Sequence, residues 1–394
     1  MTVLISGAGI AGSTLAYWLA HYGFETTIVE KSPDLRTAGY IIDFWGAGFN
    51  VAERMGLLPE LQEIGYVVQD VRVLNGKGKR IAGFPADVFK RATQGRYLSL
   101  PRGDLAASIF RLLARRVETI FGDSVERLEQ TESAVHVRFE SGMERNFDLV
   151  VGADGLHSRI RELSFGPQKR FEKYLGYKAA VFETTGYRPR DELAYVMYTQ
   201  VGQQITRFAM RDDRTVFLFT FADDKAEFPS SQDGQKAVLH HRFGASGWEC
   251  PQILDALDAA ESLYFDRVSQ IRMPKQEGLW TRGRVTLLGD AAFCVSLLAG
   301  QGTALAMAAS YILAGELHRA NGQYSAAFAQ YQKLFGPFVL RKQNAALRFA
   351  GSFAPKSKFA LFVRNRAMSL FRLPWIADIV LGRDLADRIA LPSY

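Results

Sequence analysis

Cysteine is scarce in this chain. There are two in 394 residues, Cys250 and Cys294, far apart and outside any C-x-x-C spacing. That argues against a disulfide framework or a thiolate zinc site and fits a reducing, cytoplasmic setting. Long apolar runs are missing as well. None reaches the ~18 residues that a membrane-crossing helix needs, so no stable membrane insertion is expected. No basic stretch precedes the apolar Val3-Leu4-Ile5, and a signal peptide is not expected. Low-complexity tracts, repeats and long linkers are lacking. The histidines form no metal-ligand or Ser-His-Asp spacing, and His157 reads as a surface helix position.

What is present is enough apolar material for a large core. Hydrophobic residues make up 48% of the chain, and the length suggests two domains or one with an insertion. The net charge is +7, but the basic residues lie in short runs such as Lys79-Arg80. Without a recognition motif they read as a solvated surface, and no nucleic-acid partner is expected.

The clearest signal opens the chain. An apolar run, residues 2–6, leads into Gly7-Ala8-Gly9-Ile10-Ala11-Gly12, then a helical pattern over 11–22, then a second apolar strand ending at Glu30. In G-x-G-x-x-G the first glycine permits the tight turn. The second lets backbone approach a pyrophosphate, and the third lets helix and strand pack closely. The helix start offers free N–H groups to phosphate. Glu30, 18 residues past Gly12, can accept hydrogen bonds from a ribose and disfavours a 2′-phosphate, which suits FAD or NAD.

Two further motifs choose between these. Residues 147–161 contain a strand, Asp148–Val151, running into Asp154-Gly155, with Ser158 and Arg161 following as D-G-x-x-S-x-x-R. This pattern can place donors and an acid near a ligand, or Asp154 or Ser158 can simply cap a helix. Residues 284–302 contain a strand ending at Gly289-Asp290, a loop, Gly300-Gln301-Gly302, and an Ala-rich helix from about Thr303 to Leu317. Asp290 can bind a polyol hydroxyl. The helix start can stabilise negative charge, as on the N1–C2=O edge of a reduced flavin.

In this order and spacing the three motifs resemble the class A FAD-dependent monooxygenases of the para-hydroxybenzoate hydroxylase type, over residues 2 to about 345. The resemblance implies an FAD-dependent enzyme that uses NADPH or NADH and O2 to hydroxylate an aromatic or polycyclic small molecule through a flavin C4a-hydroperoxide. Within the family the stretch 16–24, AYWLAHYGF, and the Glu30-Lys31-Ser32 stretch with Arg36 and Gly39 look most like the tetracycline-inactivating and polyketide-tailoring hydroxylases, hence antibiotic modification. The implied cofactor residues are Gly7, Gly9, Ala11, Gly12, Glu30, Lys31, Arg36, Arg102, Asp154, Asp290, Gly300, Gly302 and Thr303. Segment 39–46 would run beside the flavin. The loop Leu297, Leu298, Gly300, Gln301 and Gly302 would face its ring, and no protein acid is assigned a catalytic role. One departure stands out: many members keep a proline in this loop, where the present chain has Ser296-Leu297-Leu298. That favours a less rigid loop and gives weight to an oxidoreductase without oxygen insertion as an alternative; a non-enzymatic FAD-binding accessory protein is a second. A flavin-dependent halogenase is discounted because no W-x-W-x-I-P occurs.

The expected fold is α/β. A three-layer Rossmann-like FAD domain spans 1–68, 99–165 and 276–345, with an inserted antiparallel β-sheet substrate domain over 69–98 and 166–275. A C-terminal helical cap covers 346–394, with Pro374 separating two apolar-basic helices and Met368, Phe371 and Trp375 near the substrate entrance. Residues 71–81 read as a hairpin with an Asn-Gly turn. The aromatics Phe182, Tyr195, Tyr198, Phe208, Phe217, Phe219 and Phe221 read as core, with one face able to line a pocket. The expected state is monomer or homodimer.

Overall fold

Strand Thr2–Ser6 is apolar on both sides because it lies between layers. It pairs in parallel with Glu25–Glu30 on one side and Leu149–Gly152 on the other. This computed structural model describes residues 1–35, 40–113, 116–274, 279–373 and 389–394, apart from the side chains of 348–350. Its first sheet runs in the order Thr281–Arg282, Val285–Leu287, Leu149–Gly152, Thr2–Ser6, Glu25–Glu30, Glu118–Phe121. All neighbours in it are parallel except the first pair. Helix Ile10–His21 packs against Gly302–Arg319 and Arg102–Arg111. A three-stranded antiparallel sheet, Val125–Gln130, Val135–Phe139 and Glu144–Phe147, shares the same core through Val125, Val137 and Phe139. These are the three expected layers.

The second sheet has seven strands, in the order Tyr264–Ile271, Glu172–Thr185, Arg214–Ala222, Gln203–Ala209, Ala194–Gln200, Asp70–Leu74, Arg80–Pro85. It is antiparallel apart from one parallel junction, Ala194–Gln200 with Asp70–Leu74, where the two inserted segments meet. Helices Gln232–Phe243 and Cys250–Ala259 cover one face. Phe182, Tyr198, Phe217, Phe219 and Phe221 are buried with them and Phe208 is buried on the other face, so six of the seven noted aromatics are core. Tyr195 and Phe208 lie on the opposite face.

Three sequence expectations need adjustment. The hairpin between Asp70–Leu74 and Arg80–Pro85 turns through a loop closed by Asn75 and Lys79, with the positive φ at Gly78; the Asn75 carboxamide accepts from the N–H groups of Lys77 and Lys79 and draws the turn away from Gly76. Helix Tyr324–Phe353 runs straight through residue 345, so the expected cap has no boundary there. His157 precedes, rather than occupies, helix Arg159–Phe165. Helix Lys358–Leu370 forms as expected, and Met368 and Phe371 pack against the sheet beside Phe84 and Phe208. Pro374 and Trp375, like Arg36 and Gly39, lie outside the described residues.

Candidate active site

The three motifs meet at the carboxyl ends of the parallel strands, the usual ligand position in such sheets. Gly7 turns with φ +105°, and a Cβ there would lie 2.6 Å from the Ala153 carbonyl oxygen. A Cβ on Gly12 would come to 1.9 Å from the Gly7 carbonyl oxygen. A Cβ on Gly9 meets nothing within 4 Å. The first and third glycines therefore hold the turn against helix and strand, while Gly9 faces open space. Helix Ile10–His21 has no side-chain cap, so its first N–H groups remain available to an anion. Glu30 Oε2 accepts from Ala8 N at 2.9 Å and Oε1 from Ser32 N at 2.9 Å. The carboxylate thus braces the loop and keeps lone pairs for a ribose. Lys31 beside it is exposed.

The second motif resolves into structural parts. Asp154 Oδ1 accepts from Ser158 Oγ at 2.5 Å, and Oδ2 accepts from the N–H groups of Arg159 and Ile160 at 2.7 and 3.1 Å. Its carboxylate caps helix Arg159–Phe165, and burial raises its pKa. The cleft is faced instead by its neighbours Ala153 and Gly155. Arg161 is fully buried and donates to the carbonyls of Leu156 and Ala291 at 2.7 and 2.9 Å and to Gln168 Oε1 at 3.1 Å. It pins the second motif to the third.

In the third motif Gly289 adopts φ +61° and delivers Asp290 to the cleft. Asp290 is open to the cleft and otherwise enclosed by protein; that desolvation raises its carboxyl pKa, with the Arg102 charge pulling the other way. Arg102 begins helix Arg102–Arg111, and its N–H binds the Tyr40 carbonyl at 3.0 Å. Where the proline is missing, Ser296 takes φ +138°, a conformation rare outside glycine. Its Oγ accepts from Leu298 N at 3.2 Å and caps the single 3-10 turn Leu297–Ala299. Gly300 follows at φ +64°. Helix Gly302–Arg319 then starts without a side-chain cap, leaving its N-terminal donors at the cleft beside Thr303.

One open cleft carries Gly9 and Ala11 together with Leu297, Gly300 and Gly302, with Arg102 and Asp290 also on its wall. Leu298 turns away into a contact with Ala179 and Ala354. Gln301 lines a small adjoining void with Trp45 and Ala47. Sequence reasoning missed Tyr264, Arg267 and Ser269 on the edge strand of the second sheet, and Cys294, whose thiol burial pushes up. It flagged the segment holding Tyr40 and Ile42 without naming them. Burial pushes the Tyr40 hydroxyl up to about 12. His157 Nε2 lies 3.0 Å from Asp266, joining the cleft-edge loop to the second sheet, and that bond raises its pKa.

An open glycine cradle braced by Glu30, two uncapped helix starts, and Asp290 and Arg102 along one cleft fit a dinucleotide carrying a polyol and an anionic ring. The model of the FAD binding domain family matches residues 1–327. A flavin-dependent monooxygenase from an unknown prokaryotic organism is 33% identical over 404 residues, covering 100% of this chain and 98% of its own. The chain belongs to the flavin-dependent monooxygenases. The crystal structure of tetracycline destructase Tet(55) matches the monooxygenase with a TM-score of 0.84 at 30% identity, over 100% of this chain and 98% of that one. Klebsiella pneumoniae HpxO, solved with FAD and uric acid, matches in fold with a TM-score of 0.79 at 22% identity, over 97% of each chain. The enzyme is thus FAD-dependent, and the alternatives of a non-enzymatic protein or an oxidoreductase without oxygen insertion are not favoured. Among the described residues no helix is long and apolar enough to cross a membrane.

Proposed function

We propose that this monooxygenase hydroxylates a polycyclic aromatic or polyketide-like small molecule, with NADPH or NADH as reductant and O2 as co-substrate. One observation carries the reading. Leu297 and Leu298 of the ring-facing loop pack with Leu218 and Ala179 on the face of the second sheet opposite its two covering helices, so a flat apolar substrate held beside that face would lie against the ring site. The likeness to a tetracycline destructase over the whole chain supports a polycyclic substrate.

FAD, when bound, supplies the electron transfer and oxygen activation. Gly9 and the start of helix Ile10–His21 would receive the pyrophosphate, Glu30 the ribose, and Asp290 and Arg102 the middle of the cofactor. The N-terminus of helix Gly302–Arg319 favours negative charge on the ring edge. The apolar wall of Leu297 and Ile42 excludes water, and the protein contributes position and field rather than a reacting side chain. The two cysteines are free and buried, which favours a reducing, cytoplasmic location.

The test is mass spectrometry of a panel of polyketides and phenols incubated with enzyme, FAD and NADH or NADPH. Gain of one oxygen atom is expected. If every compound that accelerates NAD(P)H oxidation yields only peroxide or a dehydrogenated product, the reading fails.

A further inference from the structure

Helix Lys358–Leu370 lies over one edge of the substrate sheet and sends Arg364 inward. The guanidinium is half-buried, and its bonds go only to neutral acceptors. Nη1 donates to Gln204 Oε1 at 3.0 Å and to the Ser352 carbonyl at 3.4 Å, while Nε and Nη2 donate to the adjacent Asn365 Oδ1 at 3.1 and 2.8 Å. No carboxylate pairs with it among the described residues. The other largely buried cations of this sheet are treated differently: Arg207 binds Asp191 and Glu249, Arg190 binds Glu192 and Asp213, and Lys178 binds Asp223. Arg161, which also has neutral partners, is sealed in with no room for a ligand. A partly desolvated cation without a counter-charge is costly, and desolvation pulls the Arg364 guanidinium down to about 10.

It stands over the sheet face that also carries the ring-facing loop. Thr199, Gln204 and Thr220 are register neighbours across three strands, and Thr206 stands opposite Leu218 in the next row. Gln204 Oε1 accepts from Thr199 Oγ1, and its Nε2 donates to Thr206 Oγ1, both at 3.2 Å. Leu218 packs against the ring-facing loop through Leu297 and Leu298, as does Phe353, the residue after Ser352. Arg364 therefore sits above rows of neutral residues on the sheet face against which that loop packs.

We propose that Arg364 recognises an anionic group on the substrate, a carboxylate or an ionised enol, and so fixes how the ring enters the cleft. This rests on the hydroxylase reading above and adds the charge of the substrate to it. The bland alternative is that Arg364 merely caps the C-terminal end of helix Tyr324–Phe353 at Ser352.

The two are separated by charge preference. With full-length FAD-loaded enzyme, the dissociation constants of anthracene-2-carboxylate and anthracene-2-carboxamide are read from the change in flavin absorbance. The wild type should bind the carboxylate at least about tenfold tighter, the scale of one charge-assisted hydrogen bond. Arg364→Gln should bring the ratio to about one, and Arg364→Lys should keep most of it. If Arg364→Gln does not fold, the wild-type and lysine ratios decide. A wild-type ratio near one, binding of neither probe, or a ratio unchanged in Arg364→Gln overturns the proposal; a capping role alone would shift melting and leave the ratio intact. An intact ratio in an enzyme that adds oxygen to no ring refutes the proposed function and leaves this role standing.

Discussion

The cradle glycines make opposite predictions for two substitutions of the same size. In Gly12→Ala the new Cβ sits 1.9 Å from the Gly7 carbonyl oxygen, where real contacts stay beyond 3.0 Å. The helix must move off the turn by about 1.1 Å, the difference of those two distances. Both groups are backbone or backbone-attached, so no side chain can yield. Overpacking of this kind costs about 1–3 kcal/mol, and protein stripped of flavin should melt several degrees lower. In Gly9→Ala the Cβ meets no protein atom within 4 Å, and φ is −69°, so the backbone accepts alanine. Loss of a favourable N-cap residue and reduced entropy of the unfolded chain oppose each other at about 0.5–1 kcal/mol each. Stripped Gly9→Ala should melt close to wild type. Its cost falls on the cofactor: a methyl group where backbone must approach the pyrophosphate removes about one charge-assisted contact, about 1.5–3 kcal/mol, or about tenfold to a hundredfold in FAD affinity. The assay is differential scanning fluorimetry of stripped protein alongside titration by flavin fluorescence. If Gly12→Ala melts with wild type, or if Gly9→Ala loses stability while binding FAD normally, the assignment of roles within the motif is wrong.

Three further outcomes are expected. Asp290→Asn should weaken FAD binding about tenfold or more, because a polyol hydroxyl loses a charge-assisted acceptor on the cleft wall; an unchanged FAD dissociation constant in the folded variant would contradict this. The His157–Asp266 bond raises the His157 pKa, so its stabilisation is fully present below about pH 6.5 and is lost as pH rises through the folded value; His157→Gln should melt below wild type at pH 5.5 and converge with it at alkaline pH. Ser296→Pro should destabilise the ring-facing loop, since proline cannot take φ +138°, and the ratio of hydroxylated product to NAD(P)H consumed should fall while peroxide rises.

The parts of the site legible in sequence are those where one residue type is required by local geometry. Gly7, Gly12 and Gly289 belong to strand-to-helix turns that side chains would block or strain, and such constraints act within a few residues. Asp154 was legible as a position but ambiguous in role, because an acid four residues before a serine serves a ligand or a helix cap equally well; its contacts in the fold, to the N–H groups of Arg159 and Ile160 and to the Ser158 hydroxyl, are those of a cap. Tyr264, Arg267 and Ser269 carried no signal at all. They reach the cleft only because their strand pairs with Glu172–Thr185 at the sheet edge, with a register shift between Tyr174 and Lys178, and nothing local to residues 264–271 specifies that partner. The parallel junction of Ala194–Gln200 with Asp70–Leu74 was hidden for the same reason, its two strands being separated by more than a hundred residues.

The missing proline shows how such a long-range context can replace a local device. A proline stiffens a loop by removing backbone freedom before folding. Here the loop has no such restriction, and it is held by contacts made after folding. The Ser296 hydroxyl caps the turn, Gly300 closes it in the left-handed region, and Leu298 anchors it to Ala179 and Ala354 from two other parts of the chain. The φ of Ser296 costs about 1–3 kcal/mol by itself, so the anchors must outweigh it for the loop to keep this form. Rigidity at the ring site is therefore tied to the packing of the C-terminal helices on the substrate sheet. Arg364 donates to the Ser352 carbonyl, two residues before Ala354, so the cation proposed to read the substrate's charge and the anchor of the ring-facing loop share one support.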